Sequence, residues 1–248
     1  MSIDLDILAF APHPDDAEIG CAGALALATR SGRRAAIADM TAGEMSSRGD
    51  AETRKREANE AAQILKLHER YGLGLPDTRI GTDESHRYAV VELIRKTRPR
   101  VVLAPYGQDR HPDHRATSSL VREACFYAGI AKAGSGDPFR PSALHYYQIH
   151  TPFIPDFVVD ISAVWMLKKR SIAAFASQFD SQETDSGTAL SSGRFLRSHE
   201  AAAVTAGAMI GVDYGEIYCS AGPIAMQELP DGTAHDAETR LPHYNLFQ

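Results

Sequence analysis

The chain of 248 residues is poor in cysteine, has a single tryptophan and carries no surplus of basic residues. Its three cysteines, Cys21, Cys125 and Cys219, lie far apart with no CxxC pair, which argues against a thiolate metal site or a dithiol redox motif. An odd, scattered set of thiols fits a reducing compartment. With 26 Lys and Arg against 32 Asp and Glu, the net charge is -6. A nucleic acid or an anionic membrane as main partner would need a basic face that this balance does not supply. The longest apolar stretches, such as 22–28, are too short to span a bilayer. No basic n-region precedes the first apolar run, which Asp4 and Asp6 interrupt, so no signal peptide is visible. There is also no internal repeat and no long linker. The expectation is a soluble cytoplasmic protein with no membrane or nucleic-acid partner, of a length that suits one large domain.

What is present alternates. Residues 3–11, 34–40, 70–75 and 101–105 read as strands, and 17–29, 51–66, 88–97 and 115–129 as helices. Further on, 143–149 and 157–161 are aromatic and β-branched, 163–179 reads as helix, and 201–209 as the last helix. This order predicts an α/β fold, a Rossmann-like sandwich whose mainly parallel sheet is flanked by helices, with room for antiparallel strands in the second half. Three loops stand out at 41–50, 132–141 and 180–193. Residues 1–228 read as one domain, and the polar segment 229–248 as a tail or an arm toward a neighbouring subunit.

Two strand ends concentrate the chemistry. The first apolar run stops in Pro12-His13-Pro14-Asp15-Asp16, and the strand at 101–105 leads into Asp109-Arg110-His111-Pro112-Asp113-His114. Ligands in open parallel sheets bind outside the carboxyl ends of the strands, so the two sets converge if the strands are neighbours. His13, Asp16 and His114 form a three-ligand set suited to zinc, with one position left for water, although other divalent ions accept the same ligands. A metal also answers the repulsion between Asp15 and Asp16, because one carboxylate binds it while the other stays free. Asp15 is then the candidate general base, His111 the residue that protonates the leaving group or stabilises the oxyanion, and Asp113 the acid that orients His111. The plainer alternative is that Asp15 or Asp16 caps the following helix and that the later histidines are exposed loop residues.

These residues carry a family likeness. Pro12-His13-Pro14-Asp15-Asp16-Ala17-Glu18 resembles the (A/P)HPDDxE signature of the LmbE/PIG-L family of zinc-dependent N-deacetylases, and His111-Pro112-Asp113-His114 resembles its second motif, HPDH. The likeness extends over residues 3–220 through Thr41-Ala42-Gly43-Glu44, Ser46-Ser47-Arg48-Gly49, Thr53-Arg54 with Glu57, Leu75-Pro76-Asp77, Ala104-Pro105 and Ser177-Gln178-Phe179. It implies His13, Asp16 and His114 as zinc ligands, Asp15 as general base, His111 at the oxyanion or leaving group with Asp113 as its partner, and Arg54 near the substrate. Length and the Ser177-Gln178-Phe179 segment look most like the bacillithiol-pathway subgroup, whose members deacetylate N-acetylglucosaminyl-malate and are often hexameric; this implies a homo-oligomer.

One departure concerns the loop at 180–193. Members of that subgroup often carry a tyrosine after it, where this chain reads Gly193-Arg194-Phe195-Leu196. Arg194 is therefore a candidate substitute and, with Arg54 and Arg140, a candidate substrate-binding residue. Arg54 also fits a solvated helix face with Arg56, Glu57 and Glu60. The histidines at 86, 145, 150, 199, 235 and 243 have no partner at ligand spacing and read as structural or exposed. Two other readings compete with an N-acetylglucosamine-conjugate deacetylase: an amidase for another small conjugate or natural product, and a non-catalytic sugar- or nucleotide-binding module of Rossmann type. Against the last, Gly20 and Gly23 do not make GxGxxG and lie inside a helix rather than at its start.

Overall fold

The computed structural model describes residues 3–81, 83–180 and 193–226. The proposed tail at 229–248 and the histidines at 235 and 243 lie outside these residues. Element order is β1 Ile7–Ala11, α1 Asp16–Arg30, β2 Ala35–Asp39, α2 Ala51–Ile64, β3 Glu69–Gly72, α3 Glu84–Thr97, β4 Val101–Pro105, α4 Pro112–Tyr127, β5 Ala143–Tyr147, β6 Phe157–Asp160, α5 Trp165–Ala173, α6 Ala176–Phe179, α7 Arg194–Ala208 and β7 Gly215–Ser220. The seven strands form one sheet in the order β3-β2-β1-β4-β5-β7-β6. The first five are parallel, and β7 runs antiparallel to both β5 and β6.

β1 is buried along its whole length because helices cover both faces, so it reads as an unbroken apolar run. Its alternate residues feed two cores. Ile7, Ala9 and Ala11 pack in one cluster with Ile19, Ala22 and Leu25 of α1, while Leu8 and Phe10 pack in the other with Val90 and Ile94 of α3 and Leu120 and Val121 of α4. Tyr147 of β5 anchors the first cluster by donating its hydroxyl to the Phe10 carbonyl at 2.7 Å.

Ile7 pairs with Ala35 on one side and Val101 on the other, so β1 and β4 are adjacent. From β1 the chain order runs outward in both directions, which makes the β1/β4 boundary the topological switch point. Several elements depart from the sequence reading. α4 starts at Pro112 rather than 115, the last helix at Arg194 rather than 201, the 163–179 helix breaks into α5 and α6, and β7 pairs where no strand was expected.

Candidate metal centre and active site

Both motifs open helices at the switch point. His111 is the N-cap of α4, Pro112 occupies the first helical turn, where its missing N–H costs nothing, and Asp113 and His114 follow within the same turn. Across the boundary, Asp15 stands at the N-cap of α1 with φ +120°, a backbone conformation that L residues rarely adopt and that marks a site where surrounding structure holds strain. Its side chain makes no capping hydrogen bond, so the capping alternative fails for Asp15. Instead its Oδ2 lies 3.1 Å from Arg54 Nη2, and the same guanidinium donates to the Pro14 carbonyl. Arg54 is 4% exposed and lines the cavity, which rules out a solvated helix face. Gly43 gives it room: at φ +67°, a Cβ there would sit 3.0 Å from the Arg54 guanidinium carbon.

Asp16 turns the other way. Its Oδ2 lies 3.0 Å from His13 Nδ1 and 3.3 Å from His114 Nε2. These three donor atoms sit within 4.8 Å of one another, a spacing a single ion can bridge. Among the described residues two further groups meet the same criterion, His13 with His111 and Asp113, and Asp109 with His114 and His150. The first group fits a metal best because each imidazole is backed on its other nitrogen by carboxylate. His13 Nε2 is 3.2 Å from Asp77 and 3.3 Å from Asp113, and His114 Nδ1 is 3.0 Å from Asp109. Acids in that position hold the tautomer and leave the inward nitrogen's lone pair free for a cation.

The electrostatics agree with a cation-seeking centre. Burial opposes charge on His13, but Asp113, Asp16 and Asp77 outweigh it and push its pKa up to about 12. Asp16 is likewise pushed up by burial, yet His114 and His13 hold it well below the usual carboxylate range. His13 brings Asp77 down to about 2. Asp15 behaves oppositely: burial raises it to about 7, with Arg54 pulling down and Asp16 pushing up. Burial, with His114 and His13 beside it, lowers His111 and keeps the ring neutral. Its Nδ1 accepts from the Asp113 N–H at 3.2 Å, so the neutral ring carries its proton on Nε2.

His13, Asp15, Asp16, Arg54, His111 and His114 line one cavity of about 220 Å³. The expected role of Asp113 changes: its carboxylate accepts from the Thr78 N–H at 2.9 Å and supports His13 rather than His111. Two expected substrate residues lie elsewhere. Arg140 packs its guanidinium 5.0 Å from the Phe126 ring centroid and donates to the Phe126 carbonyl. Arg194 is exposed at the start of α7 and is not among the lining residues, and Phe195, at the place of the family tyrosine, sets its ring 6.0 Å from His150. Four residues missed from sequence belong here. Asp77, Thr78 and Gln178 line the cavity, and His150 stacks on His114 at 5.2 Å. Asp77 and Gln178 stood within quoted family segments, the one available signal; His150 had none.

Comparison with known proteins assigns the chain a family. The PIG-L family profile, described as GlcNAc-PI de-N-acetylase, matches residues 8–125, which contain both motifs. Diacetylchitobiose deacetylase of Thermococcus kodakarensis is 32% identical over 189 residues, 70% of each chain. A probable N-acetyl-α-D-glucosaminyl L-malate deacetylase of Bacillus subtilis is 31% identical over 133 residues, 48% of this chain and 60% of that one. The crystal structure of the conserved protein TT1542 from Thermus thermophilus superposes with a TM-score of 0.84 at 39% identity, covering 91% of this chain and 99% of the other. With a deacetylase relative spanning two thirds of both chains and the family profile covering both motifs, the chain belongs to the PIG-L family of deacetylases.

Proposed function

We propose that the protein hydrolyses the N-acetyl amide of an N-acetylglucosamine-type conjugate, releasing acetate and the free amine. The observation that carries this reading is the strained, buried Asp15, engaged by Arg54 and not by its helix, beside the converging donor atoms of His13, Asp16 and His114. Two imidazoles and a carboxylate suit zinc. When bound there, the ion supplies a Lewis acid and brings the pKa of water to about 7.

Asp15 takes a proton from the attacking water. Its carboxyl, raised to about 7 by burial, is matched to accepting and then returning a proton near neutral pH. Arg54 keeps that carboxylate aimed and buried. As the water oxygen bonds to the amide carbon, negative charge develops on the carbonyl oxygen, and His111 offers its Nε2–H to it. The proton held on Asp15 passes to the nitrogen as the C–N bond breaks, and acetate and amine leave.

The relatives' names support an acetylated amino sugar joined to a second group. N,N'-diacetylchitobiose has the longer match behind it and N-acetylglucosaminyl-malate, a bacillithiol-pathway substrate, the shorter. By the family resemblance the protein assembles as a homo-oligomer, a hexamer. A cytoplasmic setting is supported by the three free cysteines; no helix among the described residues is long and apolar enough to cross a membrane. A nucleotide-binding module is disfavoured because Gly20 and Gly23 face Tyr147 and Ile161 rather than an open phosphate cradle.

Acetate release from both conjugates, measured together with metal content for wild type and Asp15→Ala, tests the reading. Bound metal in both proteins and a loss of at least about 100-fold in the variant's rate are expected. Equal rates, or no release by wild type from any N-acetylated amino sugar, would refute it.

A further inference from the structure

The cavity at the metal centre, about 220 Å³, adjoins a second of about 260 Å³ framed by α1, α7 and β7. Ile19 and His150 line both, so their side chains form the partition.

The two sides of that partition differ. Around the metal-ligand set, Ser46, Arg54, Asp77, Thr78 and Gln178 make the first cavity polar, and Met45 and Ile19 supply its apolar surface. Met45 is 65% exposed and Ile19 only 3%, so the apolar surface of the interior comes from Ile19. An N-acetyl amide carries one apolar group at its reacting carbon, the methyl, while the rest of an amino-sugar conjugate is hydroxylated. Burying hydroxyls against Ile19 would cost their hydrogen bonds, so the matched orientation turns the methyl to Ile19 and the sugar to the polar side.

The partition is stiff. The Ile19 N–H donates to the Asp15 carbonyl at 2.9 Å, and its own carbonyl accepts from Lys168 at 2.7 Å. A β-branched side chain in a helix has essentially one χ1 rotamer, so it does not swing aside. His150 is fixed as well: its ring stacks on His114 at 5.2 Å with the planes 13° apart, and its N–H donates to Asp109 at 2.9 Å.

Beyond the partition the surface suits an alkyl chain. Ile149, Phe195, Ala202, Ala203 and Ile217 line the second cavity. Its buried charges, Lys168 and Glu216, lie 2.7 Å apart and compensate each other. Arg110 and Ser198 stand exposed at its rim.

We propose that Ile19 sets the acyl length the site accepts: its side chain meets the methyl of the N-acetyl group and closes the second cavity to any longer chain. This assignment rests on the hydrolase reading for the first cavity. With Ile19 shortened, a propanoyl or butanoyl chain extends past the partition into the second cavity.

The test measures kcat/KM for N,N'-diacetylchitobiose and N-acetylglucosaminyl-malate and for their N-propanoyl and N-butanoyl analogues, in metal-loaded wild type, Ile19→Val, Ile19→Ala and Ile19→Ala with Ala202→Phe. Wild type should favour acetyl over butanoyl by at least about tenfold, and Ile19→Ala should raise the butanoyl-to-acetyl ratio by about tenfold or more. Ala202→Phe, which fills the second cavity, should reverse that gain. Ile19→Val with the propanoyl compounds is the matched step, one methyl removed for one carbon added; its propanoyl-to-acetyl ratio should rise severalfold, and it decides the matter where Ile19→Ala does not fold. Calorimetric titration with hexanoate and with acetate reads the same passage without hydrolysis, and affinity for hexanoate relative to acetate should rise about tenfold in Ile19→Ala. That rise without cleavage of any amide leaves the partition standing and refutes the hydrolase reading. Acetyl hydrolysis with acyl ratios unchanged in both Ile19 variants, or a gain that Ala202→Phe leaves in place, overturns the role of Ile19 and leaves the hydrolase reading intact.

Discussion

Replacing Lys168 by methionine is the sharpest test of how α1 is held. Lys168 is 1% exposed and Glu216 4%. The Lys168 ammonium donates to Glu216 Oε1 and to the Ile19 carbonyl, both at 2.7 Å. The Glu216 carboxylate reaches into the middle of α1, accepting from Gly23 at 2.7 Å and Ala24 at 2.9 Å, and from the Tyr218 hydroxyl at 2.8 Å. Methionine fills much of the lysine volume but leaves a buried carboxylate with three neutral donors and no countercharge. Breaking a buried pair from one side costs about 3–5 kcal/mol, and the three surviving donors put Lys168→Met near the lower end. Glu216→Gln should cost more, because one carboxylate oxygen becomes an NH2 that can only donate, so one α1 N–H loses its acceptor beside an unpaired ammonium. In urea unfolding at pH 7, the midpoint falls with m unchanged. The double variant costs at least about 1 kcal/mol less than the sum of the singles, since neither charge is then stranded. A cost below about 1 kcal/mol for Lys168→Met, or strict additivity, would refute the reasoning.

Three further expectations follow from the same geometry. Gly20→Ala, which helix propensity alone favours by about 1 kcal/mol, should instead destabilise by about 2 kcal/mol or more in thermal unfolding, because the new Cβ would lie 2.0 Å from a Tyr147 ring that its hydroxyl bond to Phe10 holds fixed. Asp109→Asn should weaken metal binding about 10–100-fold in chelator competition, since Asp109 backs His114 Nδ1 and also accepts from the His111, His150 and Thr151 N–H groups; unchanged affinity would remove it from the centre. His199 has a folded-state pKa of about 3, below the unfolded value of 6.5, so the unfolded chain binds the proton first on acidification. Its contribution is intact above pH 6.5 and is lost as pH falls from there toward 3, by up to about 1.4 kcal/mol per unit. Wild-type stability relative to His199→Gln should therefore drop through that window, and a pH-independent difference would contradict the burial argument.

The parts of the fold legible in sequence were those whose pattern is local. β4 occupies 101–105 as read, because a continuous apolar run between Arg100 and a Tyr-Gly turn leaves little choice. β1 and β4 are adjacent, which turned two separate motifs into one centre. The start of α4 was misplaced because His111, Asp113 and His114 look like loop residues. The proline at 112 is the signal for the true start, and moving the helix forward is what puts both later site residues on a rigid first turn. β7 escaped notice since Gly215–Ser220 has only Ile217 and Tyr218 as strong strand formers and owes its strand state to pairing with β5 and β6. The acids behind the imidazoles escaped for a related reason. Asp77 meets His13 across 64 residues of sequence, and the burial of Arg54 depends on a contact with Pro14 and Asp15 forty residues away. Residue type and spacing identify atoms that bind a metal; which carboxylate orients each ring is a property of the packed loops.

The adjacent carboxylates show how far one backbone angle decides chemistry. Two aspartates in sequence should repel, and in a regular turn both would face similar surroundings. The φ of +120° at Asp15 breaks that equivalence. It directs Asp15 to Arg54 and away from its helix, while Asp16 enters α1 and faces two imidazoles. Their pKa values separate accordingly, Asp15 raised by burial and Asp16 held low by its histidines. Paired titratable groups driven apart in this way mark an assignment of roles. One carboxylate is kept permanently ionised, as a metal ligand must be, and the other is poised to gain and lose a proton near pH 7. The strain at Asp15 is thus tied to the division of labour, and its support comes from the surrounding loops: Gly43 leaves space for the Arg54 guanidinium, Arg54 fastens the Pro14 carbonyl, and Pro12 and Pro14 restrict the chain on either side of His13.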